Sequence, residues 1–199
     1  AKSKFIEGGI LADKLIVKPN FLTDPKVIGE YEDYWLYAGK LEEQKGLLDF
    51  LHLAKERPDV KFKVAGYCSK PDTFSSIPNV EYLGQLDRKK LMSLMDSCKG
   101  VLFLSKMYEG MPMTILEAFA HKKLVVAKNQ GVMAEMIRPG ENGYLYENQN
   151  ELCRLVDQLV SMERCRTLGT TAYEDFTELY NEKEAYKRLM NVYNMVLED

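Results

Sequence analysis

The chain has 199 residues, a formal charge of −3, and is 46% hydrophobic and 29% charged. That is enough for one domain with a sizeable core and has the balance of an ordinary globular protein. It excludes the strong basic excess of a nucleic-acid binder, and no apolar run approaches a membrane span. The four cysteines, Cys68, Cys98, Cys153 and Cys165, form no CxxC pair, so reduced thiols are expected rather than a disulfide framework or a zinc site. His52 and His121 form no HExxH-type motif. The chain opens AKSK rather than with Met, which suggests a piece of something longer.

In chain order, β-rich runs recur at LIVK (15–18), YWLYAG (34–39), KFKVAG (61–66), VEYLG (80–84), GVLFLS (100–105), LVVAK (124–128) and GYLY (143–146). Helical stripes lie between many of them. Leu47, Leu51 and Ala54 form one; Leu91, Leu94 and Met95 form another. Leu152, Leu155, Val156, Leu159 and Val160 follow the spacing of one helix face closely. Strands alternating with helices predict an α/β fold, a Rossmann-like doubly wound parallel sheet with helices on both faces. From about residue 163 the strand signals stop. Tyr186, Leu189, Met190, Tyr193, Val196 and Leu197 then form a long amphipathic stripe, with Asn181 and Glu184 spaced to cap its start. With no strand to follow, this closing helix is expected to cross the domain or pack on a neighbour.

Open parallel sheets bind ligands at the carboxyl ends of their strands, and three stretches should lie there. In AGKLEEQKG (38–46), Gly39 lets backbone approach a ligand, and Lys40 and Lys45 suit phosphate. The same lysines also read as solvated surface charges, the commoner state of Lys. In YEGMPMTILEAFA (108–120), Pro112 is a first-turn residue and a helix is predicted from about Met113 to His121. The amino end of such a helix carries free N–H groups and partial positive charge, a seat for a diphosphate. Glu109 stands just outside that mouth and Glu117 roughly 7 Å down the axis. A ligand at the mouth would meet an acid on either side. The residues alone equally allow a loop acid and a solvated face position. In the third stretch, AKNQGVMAEMIRPGENGYLY (127–146), Gly131 opens a short helix, PGENG turns into the last strand, and Glu135 caps or braces.

Absences narrow the class. There is no GxGxxG, no GxxxxGK[ST], no GxSxG and no Asp-x-Asp, so dehydrogenase, P-loop, hydrolase-elbow and metal-handle readings lose their main support.

Several stretches, in order, resemble the C-terminal, donor-binding domain of a GT-B fold retaining glycosyltransferase, most like glycosyltransferase family 4 (glycosyl transferases group 1). They are VKPNF (17–21), AGKLEEQKGLLDF (38–50), EYLGQLDRKKLMSLM (81–95), SKMYEGMPMTILEAFA (105–120), NQGVMAEMI with PGENGYLY, and the tail from Phe176. Of these, AGKLEEQKG resembles the family's phosphate loop and the Glu109–Glu117 pair its Glu-x7-Glu motif. The resemblance implies that Glu109 lies at the donor sugar as the catalytic residue and that Glu117 holds the ribose. It implies that Gly39 begins the phosphate loop and that Gly110, Met111, Pro112, Met113 and Thr114 line sugar and phosphate. Lys40 and Lys45 would neutralise the departing diphosphate, and Leu86 would border the base.

The resemblance further implies no metal, no cofactor and a nucleotide-sugar donor, by analogy a UDP-sugar. The acceptor would be a glycan or lipid-linked molecule, with a role in cell-surface polysaccharide synthesis. Residues 1–199 would form the C-terminal GT-B domain, with 1–12 the end of the interdomain connection and 163–199 the closing helices. An N-terminal acceptor domain would be missing, so this chain alone would bind donor and transfer little. Location would be cytoplasmic, extending to peripheral contact with the inner face of the plasma membrane in the full enzyme. Lys40 stands where the family has Arg; Lys122 and Leu124, and Val132 and Ala134, stand where it has Gly and Pro. A left-handed Lys122 would cost on the order of 1 kcal/mol. Two alternatives remain at this stage: a non-catalytic nucleotide-sugar-binding module of the same fold, and a sugar-nucleotide epimerase.

Overall fold

The protein is described by a computed structural model covering residues 2–25 and 30–198. After a short helix α1 (Lys2–Glu7), strands and helices alternate: β1 (Trp35–Ala38), α2 (Leu47–Glu56), β2 (Phe62–Ala65), β3 (Val80–Tyr82), α3 (Arg88–Ser97), β4 (Gly100–Phe103), α4 (Met113–Ala120), β5 (Leu124–Lys128), α5 (Val132–Met136), β6 (Gly143–Tyr146), α6 (Gln149–Gln158), α7 (Met162–Leu179) and α8 (Glu182–Glu198). The strands form one parallel sheet in the order β3-β2-β1-β4-β5-β6. The order reverses between β1 and β4, which opens a crevice at their carboxyl ends.

Near-continuous apolar strands are what a sheet covered on both faces requires. Successive residues point to opposite faces. Trp35, Tyr37, Leu124 and Val126 enter a core shared with α2 and α6; Leu36, Ala38, Val125 and Ala127 enter a second core shared with α3, α4 and α5. Helix α7 belongs to both, through Cys165 and Leu168 on one side and Ala172 and Phe176 on the other. The doubly wound fold is therefore as the sequence predicts, but the helix that spans both layers is α7, not the closing helix α8 for which the crossing was expected.

Two expectations need correction. Residues 15–18 form no strand, and Ile16 and Val17 are exposed. Their β-branched composition finds no sheet edge to pair with, and strand propensity without a partner does not make a strand. The stripe on α8 is largely uncovered: Ala185 is buried, while Tyr186, Tyr193, Val196 and Leu197 are exposed. Its cap is as expected, with the Glu184 N–H donating to Asn181 Oδ1 at 2.9 Å. Lys122 does adopt the left-handed conformation (φ 57°) after α4. All four cysteines are free and buried.

Candidate functional site

The crevice at the strand reversal is a cavity of about 220 Å³ lined by Gly39, Lys40, Lys45, Ser105, Glu109, Met111, Pro112, Met113 and Thr114. One wall is the loop after β1. Gly39 (φ 139°) leaves the strand and its N–H donates to Ala65 O at 3.0 Å. The loop closes at Gly46 (φ 88°), where an added Cβ would lie 2.2 Å from Leu104 O. Only glycine fits this left-handed, backbone-to-backbone contact, and it presses Lys45 against the exit of β4. The Tyr37 hydroxyl donates to Lys45 O at 2.9 Å and the Lys106 N–H to Gln44 O at 2.9 Å, so the closing end of the loop is pinned twice.

The other wall is the mouth of α4. Pro112 precedes the first helical residue with extended backbone (ψ 112°). It has no N–H to satisfy, and the first free amides of the helix, on Met113 and Thr114, belong to cavity-lining residues. The connection before β1 reaches this mouth: the Asn20 N–H donates to Met111 Sδ at 3.0 Å.

Glu109 stands between the walls. Lys45 Nζ donates to Glu109 Oε1 at 2.7 Å and Ser105 Oγ to the same oxygen at 2.7 Å. Burial pushes the Glu109 carboxyl up, but the Lys45 and Ser105 hydrogen bonds and the Lys45 charge together outweigh it and hold the group below the usual carboxylate value. Glu109 is thus an anion with a cation beside it. Lys40 is more exposed and pairs with Glu42 at 2.7 Å, an arrangement that costs little to exchange for another anion.

The remaining expected residues sit around this cavity rather than in it. Leu86 lines an adjoining hollow of about 260 Å³ that shares Gly39 and Lys40 with it. Gly110 lines a larger hollow of about 720 Å³, with Met111 common to both. Glu117 is only 7% exposed and faces a third hollow of about 430 Å³, where Arg88 Nη1 meets its Oε1 at 2.8 Å. Arg88 begins α3 behind the cap Asp87, whose side chain accepts the Lys90 N–H at 2.9 Å. Sequence reasoning missed both Arg88 and Ser105. The signals were available: Ser105 ends the β4 run at the crevice, and Arg88 follows Leu86 by two residues. Gly131 (φ 53°) opens α5 as expected, with the Tyr108 ring where a Cβ would sit.

A doubly wound sheet with a helix mouth, two lysines and a carboxylate at its reversal point is an arrangement α/β domains use to seat phosphate esters. The chain belongs to the Glycosyl transferases group 1 family, which matches residues 21–175. It is 29% identical over 174 residues to an uncharacterized glycosyltransferase of Methanocaldococcus jannaschii, covering 83% of this chain and 48% of that protein. It is 26% identical over 171 residues to the putative glycosyltransferase EpsD of Bacillus subtilis, covering 79% and 43%. The chain thus spans about half the length of the curated relatives it matches.

Among solved structures, Anabaena HepE in complex with UDP and glucose superposes with a TM-score of 0.81 at 18% identity, over all of this chain and 61% of HepE. A Staphylococcus aureus TarM variant in complex with UDP, fondaparinux and α-GlcNAc-glycerol superposes with a TM-score of 0.82 at 21% identity, over 97% and 42%. The fold is one half of the GT-B architecture.

Proposed function

We propose that this chain is the donor-binding half of a retaining, family 4 glycosyltransferase that takes its sugar from a UDP-sugar. The observation that carries the reading is the cavity at the β1–β4 reversal, where the α4 mouth faces Lys40 and Lys45. Leaving-group charge grows as a glycosyl bond breaks, and fixed cations with an aligned helix end stabilise it. The diphosphate sits at the amides of Met113 and Thr114, with Lys40 and Lys45 opposite. Gly39, Gly110, Met111 and Pro112 shape the sugar and phosphate seats. Leu86 borders the base. Glu109 meets the donor sugar as the catalytic carboxylate. Glu117 lies on the ribose side, with Arg88 already on one of its oxygens.

The donor base follows the UDP held by HepE and TarM. The reaction uses the chain's own cations rather than a metal. The acceptor, a glycan or lipid-linked molecule of cell-surface polysaccharide synthesis, docks on a further domain, and the whole enzyme works in the cytoplasm at the inner membrane face. The 199-residue chain alone binds donor and transfers little.

A thermal-shift assay with UDP, GDP and ADP, each with and without EDTA, tests this. At a hundred times Kd, a ligand adds about 2.7 kcal/mol, roughly 5–10 °C for a chain of this size. UDP should give the largest shift, and EDTA should leave it unchanged. No shift with any nucleotide, or one that EDTA removes, would sink the reading.

A further inference from the structure

We propose that Ser105 is a positioning residue that fixes the rotation of the Glu109 carboxylate, so that its free oxygen is turned toward the donor sugar; the inference rests on the donor reading above. Ser105 is 2% exposed and follows Phe103, the last residue of β4, by two, so it sits on the rigid end of a central strand. Its hydroxyl has a single proton to give. The Met107 N–H donates to Ser105 Oγ at 3.3 Å, and Ser105 Oγ donates to Glu109 Oε1 at 2.7 Å. One lone pair of the hydroxyl is therefore occupied by the loop amide, and its proton is directed at the carboxylate.

Lys45 Nζ donates to that same Oε1, also at 2.7 Å. Two donors converging on one oxygen set the rotation of the carboxylate. Oε2 takes no hydrogen bond from the described residues and is left to accept from a ligand. With an anionic group seated at the α4 mouth, the part of the donor that reaches Glu109 bears hydroxyls, and a hydroxyl is what a free carboxylate oxygen binds. Lys45 alone would hold Glu109 as a point charge on a flexible stem without fixing its rotation. Ser105 supplies the second constraint.

A simpler role for Ser105, bracing the 104–112 loop through the Met107 amide, predicts a different pattern of loss. Calorimetric titration of the 199-residue chain with UDP and with UDP-glucose separates the two. Ser105→Ala should weaken UDP-glucose about tenfold, the usual worth of a hydrogen bond to a charged group, while UDP changes less than about twofold. Ser105→Thr, which keeps the hydroxyl, should restore UDP-glucose to within about threefold of the parent. In a Glu109→Gln background, Ser105→Ala should add nothing further to the loss of UDP-glucose.

Equal loss of UDP and UDP-glucose in Ser105→Ala, no loss of either, or full additivity with Glu109→Gln would overturn the positioning role while leaving the donor reading intact. A parent chain that binds neither nucleotide would overturn the donor reading and this inference with it.

Discussion

Glu109 and Glu117 stand eight positions apart on either side of the start of α4, and the protein treats them differently. Glu109 is in the loop, lines the cavity, and is held by Lys45 and Ser105 through one oxygen. Glu117 is in the body of the helix among Ile115, Leu116, Ala118 and Phe119, all fully buried, and reaches Arg88 on a neighbouring helix. The first pair is half-open on both sides, with side chains 30% and 19% exposed. In the second the acid is enclosed and the cation lies in solvent, at 9% and 68%. A carboxylate at a helix mouth is held but exchangeable, whereas one inside a packed helix must keep its partner or leave an enclosed charge unmatched. The comparison separates an acid held loosely at the cavity from an acid held within a packed helix.

The largest expected effect comes from breaking the wall that brings Lys45 to Glu109. Gly46→Ala puts a Cβ into Leu104 at a left-handed φ, and urea denaturation should show a loss of about 2–4 kcal/mol. A loss under about 0.5 kcal/mol would mean that the loop is not pressed on β4 as described. Next, Arg88→Met leaves Glu117 enclosed without its cation and should cost about 1–2 kcal/mol, discounted because Arg88 is mostly solvated. Lys45→Met should cost less than that by the same measurement, since both of its groups see water. Equal costs would erase the distinction between the two acids.

The smallest effect is a pH dependence. Glu109 titrates below its unfolded value of about 4.3. Its contribution to stability is therefore full above that value and lost as pH falls through the lower, folded one. The stability difference between the parent and Glu109→Gln should hold steady from pH 7 to about 5 and shrink on further acidification. In a Lys45→Met background the shrinkage should be weaker. A difference that grows toward low pH would contradict the ion pair.

Much of this was legible in the sequence, and the failures share a cause. Six of the seven β-rich runs became strands, because near-continuous apolar residues between turn signals report burial on both faces. The mouth of α4 followed from Pro112, and the cap Asn181 from its residue type. The run at 15–18 and the α8 stripe misled, since apolar patterning says which face wants cover but not what covers it. The site divided in the same way. Gly110 to Thr114 were expected together through the family resemblance, and as consecutive residues they lie around the α4 mouth, with Gly110 in the neighbouring hollow. The Glu117–Arg88 and Ser105–Glu109 partnerships were not found, because they depend on how α3 meets α4 and how β4 hands over to its loop. The Lys45–Glu109 contact, 64 positions apart, is a product of the strand reversal itself.

Helix α7 carries a consequence for how the molecule comes apart. Its first half lies in the apolar layer on one side of the sheet and its second half in the layer on the other. Neither layer can be stripped without uncovering the helix that seals its twin. The two sides are fastened like the covers of a book by one clasp, so the two layers should come apart together rather than one at a time.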